Sequence, residues 1–274
     1  EVDSRGSGHR YTTFQIFTEW FHRVLAGLVL GPLVILNWYM LKGGEREVKF
    51  ASTLTVVLIV WQGAIGWLTV EMDNLHWSVA IHLSSALAFT MSMFWLWLTL
   101  TRAEDGLPNW LKFDYSISKK WKVRVGLLSV GAFVSIFSGT FVSTTPGANF
   151  GCGVDGLPDS WPLCGGKIVD SVDDVVAQSQ IIHRWFVGLM LIALIASSYS
   201  ISKEHLGNNV LRNWIWASTF LFFANTSIGA IYVLSWDLEE GFFEFLSLVH
   251  LMMASLTFVT MAISWIGCSI AEDG

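Results

Sequence analysis

Residues 185–202 read WFVGLMLIALIASSYSIS, eighteen consecutive positions with no Asp, Glu, Lys or Arg. As an α-helix this run is about 27 Å long, close to the bilayer hydrocarbon core that about 20 apolar residues cross. It extends N-terminally through the polar pair His183-Arg184 to about Ser179. Six more runs have the same character: 24–41, 50–70, 75–101, 125–154, 213–236 and 245–271. The first of these also extends through a His-Arg pair, His22-Arg23, to about Phe14. Turn chemistry in Thr144-Thr145-Pro146-Gly147 predicts that the 125–154 run stops as a helix near Val142. The segments are too long for barrel strands and show no alternation.

Composition points the same way. Of 274 residues, 53% are hydrophobic and 14% are charged, against about 25% charged in an ordinary soluble domain. Mean hydropathy is +0.53, and a soluble globule of this size could not bury so much apolar surface. Disorder, collagen and coiled coil are excluded, and three cysteines are too few for a stapled secreted scaffold. A net charge of −6 excludes a nucleic-acid binder, which needs a basic face. The expectation is an all-α, multi-pass integral membrane protein with seven transmembrane helices in this chain.

Charge orients the helices. One set of loops holds eleven basic residues: Lys42, Arg46, Lys49, Arg102, Lys112, Lys119, Lys120, Lys122, Arg124, Lys203 and Arg212. The other holds three, Arg5, Arg10 and Lys167, beside acids such as Asp155, Asp159, Asp170, Asp173, Asp174, Asp237, Glu239, Glu240 and Glu244. The positive-inside rule puts the first set inside and the N-terminus outside.

An internal repeat follows. His22-Arg-Val-Leu-Ala-Gly-Leu-Val-Leu30 matches His183-Arg-Trp-Phe-Val-Gly-Leu-Met-Leu191, Ile65-Gly66 matches Ile228-Gly229, and His82-Leu83 matches His250-Leu251. The matched helices keep their direction, so the units are parallel repeats, and these need an even number of spans each. The second unit has four helices and the first only three. A first helix upstream of Glu1 is therefore expected, which also suits an external N-terminus that does not begin with Met. The predicted organisation is a first-half bundle over 1–101, an inner basic linker over 102–124 and a second four-helix bundle over 125–271.

The repeat brings His22, His82, His183 and His250 to one depth, one to two turns inside the outer helix ends. Ionisable residues there are costly and functional more often than not. Neutral imidazole is a standard axial ligand of haem iron, and facing helices of a bundle build such sites. The expected pairs are His22 with His82 and His183 with His250. Zinc fits less well, because no third or fourth ligand repeats alongside. Arg23 and Arg184 adjoin the candidate ligands. Two readings stand for them: snorkelling to headgroups and bidentate pairing with haem propionates. His9, His76 and His205 lie outside the repeat and read as bystanders. Trp20, Trp61, Trp67, Trp77, Trp185, Trp214, Trp216 and Trp236 read as interface belt and packing. Gly27, Gly66, Gly188 and Gly229 read as sites of close helix approach.

Cys152 and Cys164 bound a short loop on the oxidising side, and a disulfide between them is expected. It is either a loop staple or a redox-active or haem-handling pair. Cys268, near the inner end of the last helix, reads as a small buried hydrophobe.

Glu19 precedes His22 by three residues, on the same helix face. At the repeat offset its counterpart is the neutral Gln180, so Glu19 marks a role of the first half alone, either in proton relay or in positioning. The other reading is an interfacial ion pair with Arg10 or Arg23. Changing Gln180 to Glu is expected to do little to the chemistry.

Together, Glu19-Trp-Phe-His-Arg23, Gln62-Gly-Ala-Ile-Gly66, His82, the Gly151-Cys…Trp161-Pro-Leu-Cys164 loop, Ile182-His-Arg184 and His250 resemble the haem A synthase family across nearly the whole chain. The resemblance implies eight helices in two halves. It implies oxidation of the C8 methyl of haem O to a formyl group by successive O2-dependent hydroxylations. A haem b would sit on His183 and His250, the substrate haem O or product haem A on His22 and His82. It also implies haem O synthase as donor, a terminal oxidase or its assembly factors as acceptor, and a prokaryotic plasma membrane sooner than a mitochondrial inner one. The sequence names neither the electron donor nor the oligomeric state, and a homo-oligomer is compatible with it. The family's first-half cysteine pair is not present before His22. Two other classes fit the histidines: a dihaem cytochrome b that only transfers electrons, and a haem-binding assembly subunit without oxygen chemistry.

Overall fold

The computed structural model describes residues 13–72, 74–104, 106–145, 147–168, 175–205, 208–236 and 243–271. The described residues are helical apart from turns, short 3₁₀ segments and one isolated β-bridge. Seven spans are long and apolar enough to cross a membrane. The chain is thus an all-α, multi-pass integral membrane protein, and its contacts divide it into two compact units at Leu107/Pro108.

The first unit contains α1 (Thr13–Val24), α2 (Gly31–Leu41), α3 (Arg46–Glu71) and α4 (His76–Glu104). A π-helical turn over Leu25–Leu30 joins α1 to α2 in one span, Ile16–Leu41. Pro32 accounts for that turn. It has no N–H to give to the carbonyl four residues back and crowds it, so the coil widens and Gly31 N–H bonds to Ala26 O, five residues back. Next, α2 packs on α3 and α3 on α4. Trp38 Nε1 donates to Thr53 Oγ1 at 3.2 Å, and Arg102 pairs with Glu47 at 2.6 Å. Val48, Ala51 and Leu96 form the buried contact between α3 and α4.

The second unit contains α5 (Tyr115–Thr144), α6 (Val175–Ser202), α7 (Val210–Leu234) and α8 (Glu244–Ile270). Each helix packs on two others: α5 on α6 and α8, and α7 on α6 and α8. That pattern closes a four-helix bundle. Lipid tails are as apolar as leucine, so such helices associate through close packing and polar contacts. The buried face of α5 accordingly carries Ser118, Ser129, Ala132, Ser135 and Thr140. Ser198 bonds Thr219 at 2.7 Å, and Ser218 donates to Thr260 at 2.8 Å. Large apolar side chains such as Ile192 and Phe220 point outward.

The helix ends lie within four residues of the predicted span ends with one exception. α5 begins at Tyr115, ten residues before Val125, and carries Lys119, Lys120, Lys122 and Arg124 as helix. Charge marks where a span leaves the apolar layer but does not end a helix. Asp114 does set the start, accepting from Ile117 N–H at 3.1 Å. Trp214 Nε1 donates to Trp110 O at 2.8 Å, and Lys120 pairs with Glu204 at 2.7 Å. The Lys120 hydrogen bond holds the Glu204 carboxyl below the usual carboxylate range. This tie is therefore kept at neutral pH and released only on acidification.

Candidate functional site

The second unit encloses a cavity of about 430 Å³ between its four helices. His183 on α6 and His250 on α8 face each other in it, with ring centroids 6.5 Å apart and planes perpendicular. Glycine makes that approach possible. A methyl group at residue 139 would lie 2.9 Å from Cε1 of His183, and one at residue 229 would lie 2.7 Å from Cε1 of His250. Each ring therefore occupies volume that any other residue would fill.

Hydrogen bonding fixes the state of His250. Its Nδ1 lies 3.0 Å from the Asn225 carbonyl, which can only accept. Nδ1 thus carries the proton, and the Nε2 lone pair is available to a metal. Nδ1 of His183 lies 2.9 Å from Ser138 Oγ. Two groups in the wall lack partners: Nη2 of Arg184 and Oδ1 of Asn225 are both buried without a hydrogen bond.

A loop from the α5 end supplies the rest of the wall through Asn149, Trp161 and Pro162. Cys152 and Cys164 are disulfide-bonded there, as expected, and pack with Ala177 and Ile181 of α6. Two side chains of α6 hold this loop down. Arg184 Nη1 donates to Ser160 O at 2.8 Å and to Leu163 O at 2.6 Å. Gln180, 4% exposed, donates from Nε2 to Ala148 O at 2.9 Å. Arg184 therefore does not snorkel freely: one arm is tied to the loop, while the other is buried without a hydrogen bond. Gln180 is also more than a neutral stand-in for Glu19. Its amide N–H holds a buried carbonyl, and a carboxylate could not. An ionised Glu at this position would lose that contact.

The first unit is built differently. His82 on α4 rests against α3, where a methyl group at residue 66 would lie 3.0 Å from its Cε1. Gln62, one turn before Gly66, places its amide nitrogen 3.2 and 3.4 Å from the two ring nitrogens and donates to His82 O at 3.0 Å. Ser85 Oγ donates to Gln62 Oε1 at 2.5 Å. His22, on α1, is exposed and within electrostatic reach of His82. Glu19 forms an ion pair with Arg23 one turn on, both about half exposed. Of the two partners expected for Glu19, Arg23 is the one seen; Arg10 lies outside the described residues.

Among the other predicted positions, Gly66 and Gly229 do admit close approach, but the approaching group is an imidazole. Gly27 and Gly188 have open space where a Cβ would be. Cys268 is buried and free, and His205 is exposed. His9 and the His76 side chain lie outside the described residues. Sequence reading missed Ser138, Gly139, Asn149, Trp161, Asn225 and Tyr232. Trp161 carried a signal, since it belongs to the Trp-Pro-Leu-Cys motif. No three His, Cys, Asp or Glu side chains come together to hold a metal ion among the described residues.

The chain is similar to several known proteins. A protein named heme A synthase from Shouchella clausii is 28% identical over 253 residues, covering 90% of this chain and 79% of that protein. Heme A synthases from Alkalihalophilus pseudofirmus and Halalkalibacterium halodurans are 27% and 25% identical over 254 and 249 residues. They cover 90% and 89% of this chain, and 80% and 76% of their own lengths. Residues 8–262, nearly the whole of the chain and both histidine-bearing units, match one family, and the chain belongs to it: COX15-CtaA, the cytochrome oxidase assembly proteins.

Proposed function

We propose that this protein is a haem A synthase that oxidises the C8 methyl of haem O to a formyl group. The observation carrying this reading is the facing pair His183 and His250. Their rings face one another 6.5 Å apart in a shared cavity, so the two imidazoles would together hold one haem there. Among the described residues no third His, Cys, Asp or Glu ligand joins the pair, which suits a macrocycle, and haem b is the group assigned here. The unpartnered Nη2 of buried Arg184 supports a carboxylate, such as a propionate, in the same cavity.

Haem bound in this unit supplies one-electron redox chemistry. The chain's own residues do the rest. His183 and His250 bind through Nε2, Arg184 orients the acidic edge, and the loop held by Arg184 and Gln180 keeps water from that wall. In the first unit, His22 and His82 hold the substrate haem O or product haem A, and Gln62 braces His82 against Gly66. Glu19, fixed by Arg23 one turn from His22, takes or delivers protons as the methyl group is oxidised. Two hydroxylations, each using one O2 and two electrons from a donor, give an aldehyde hydrate that loses water. The basic loops support placing both histidine sites toward the outer side of a prokaryotic plasma membrane. The disulfide supports it too. Haem O synthase would deliver the substrate, and a terminal oxidase or its assembly factors would take the product.

The test is conversion of haem O by purified protein with reductant and O2. Glu19→Gln should keep its haem complement and lose most of the conversion, of the order of the 10²–10⁴-fold supplied by a positioned acid–base group. Near-full conversion by that variant would remove Glu19 from the chemistry.

A further inference from the structure

Ser138, on α5, has no assigned part in the site, yet its hydroxyl oxygen is 2.9 Å from His183 Nδ1. The same oxygen lies 2.9 Å from Ser135 O, the carbonyl one turn back. A hydroxyl has a single proton. Given to the Ser135 carbonyl, that proton leaves the oxygen as acceptor for an N–H on Nδ1 of His183. The adjacent residue is Gly139, the one that makes room for the ring. We infer that Ser138 is a positioning residue that fixes the His183 tautomer with its Nε2 lone pair toward the haem iron.

The two imidazoles of the second unit are then set alike, one by a hydroxyl oxygen and one by the Asn225 carbonyl. His82 in the first unit is held otherwise. At 3.2 and 3.4 Å from both ring nitrogens, the Gln62 amide lies over the ring face and not in line with either lone pair. Partners that accept from a ligand's N–H orient the ring and raise its basicity, and losing them typically costs 10–100-fold in metal affinity. The second unit is therefore built to keep its haem, the first to exchange one. This rests on the proposed haem ligation by His183 and His250.

The experiment uses the full chain, purified with haem, and reads haem release to an apoprotein acceptor and the midpoint potential of the bis-histidine signal. Ser138→Ala should release haem at least about 10-fold faster. Its midpoint should rise, because a less basic imidazole stabilises ferric iron less. Ser138→Thr and Ser138→Val have nearly the same shape and differ in the hydroxyl. Threonine should restore both readouts and valine should not. Ser129→Ala, which removes another buried hydroxyl of α5, should match wild type. Wild-type release and potential in Ser138→Ala, or equal behaviour of the Thr and Val variants, would overturn the role of Ser138. A wild-type protein with no bis-histidine signal, or one that survives His183→Ala, would overturn the haem reading itself and this inference with it.

Discussion

His183→Ala and His250→Ala should each abolish the low-spin bis-histidine signal of the second unit and deplete its haem. In the proposed site each imidazole supplies one of two protein ligands, and among the described residues no cluster of three His, Cys, Asp or Glu side chains offers a replacement. Losing a partner that only orients a ligand costs 10–100-fold in affinity, so losing the ligand itself should cost at least on the order of 100-fold. Neither change should unfold the bundle. The rings stand in a cavity wall, where their contacts include Gly139, Gly229, a serine hydroxyl and one carbonyl. The first unit should therefore keep whatever His22 and His82 hold. Extraction and quantification of haem from each variant checks this. Equal loss from both units would indicate a folding defect or one shared site.

Gln180→Glu should damage the second unit in a pH-dependent way. The Gln180 amide donates to Ala148 O and is 4% exposed. Ionised Glu has no proton to donate and would set a charge against a carbonyl dipole, and leaving a buried polar group unsatisfied costs about 1–3 kcal/mol, more where a charge is involved. A protonated Glu has nearly the shape of Gln and can still donate. The variant's folded pKa is thus raised above the unfolded value of about 4.3. Its stability should match wild type below that pH and be lost as pH rises toward neutrality. The expected readout at pH 7 is faster proteolysis of the 148–168 loop, relieved by acidification. Equal proteolysis of variant and wild type at pH 7 would show that the Ala148 contact does not hold the loop.

The legible parts of this protein are those where one residue type has one physical meaning. Absence of charge over 18 or more positions leaves few alternatives to a membrane span, and all seven runs became helices. Charge placed the start of α5 less well, because Lys119 to Arg124 leave the apolar layer without leaving the helix. His183 and His250 were legible as a pair because a duplicated His-Arg helix exposes them. Their supports were not. Serine is common on packed membrane helices, so Ser138 carries no mark of its contact, and the Asn225 acceptor is a backbone carbonyl that any residue would supply. Gly66 and Gly229 stood out through the repeat, whereas Gly139 lies outside the repeated motifs. Arg184 was read with two alternatives, and the structure ties one arm to the loop while burying the other without a hydrogen bond.

The most direct test of the account is mass spectrometry of the pigment extracted from the purified wild-type protein. A haem A synthase should yield haem b together with haem O or haem A, from two chemically different sites in one chain. Haem b alone, at two per chain, would contradict the account and identify the protein as an electron-transferring dihaem cytochrome.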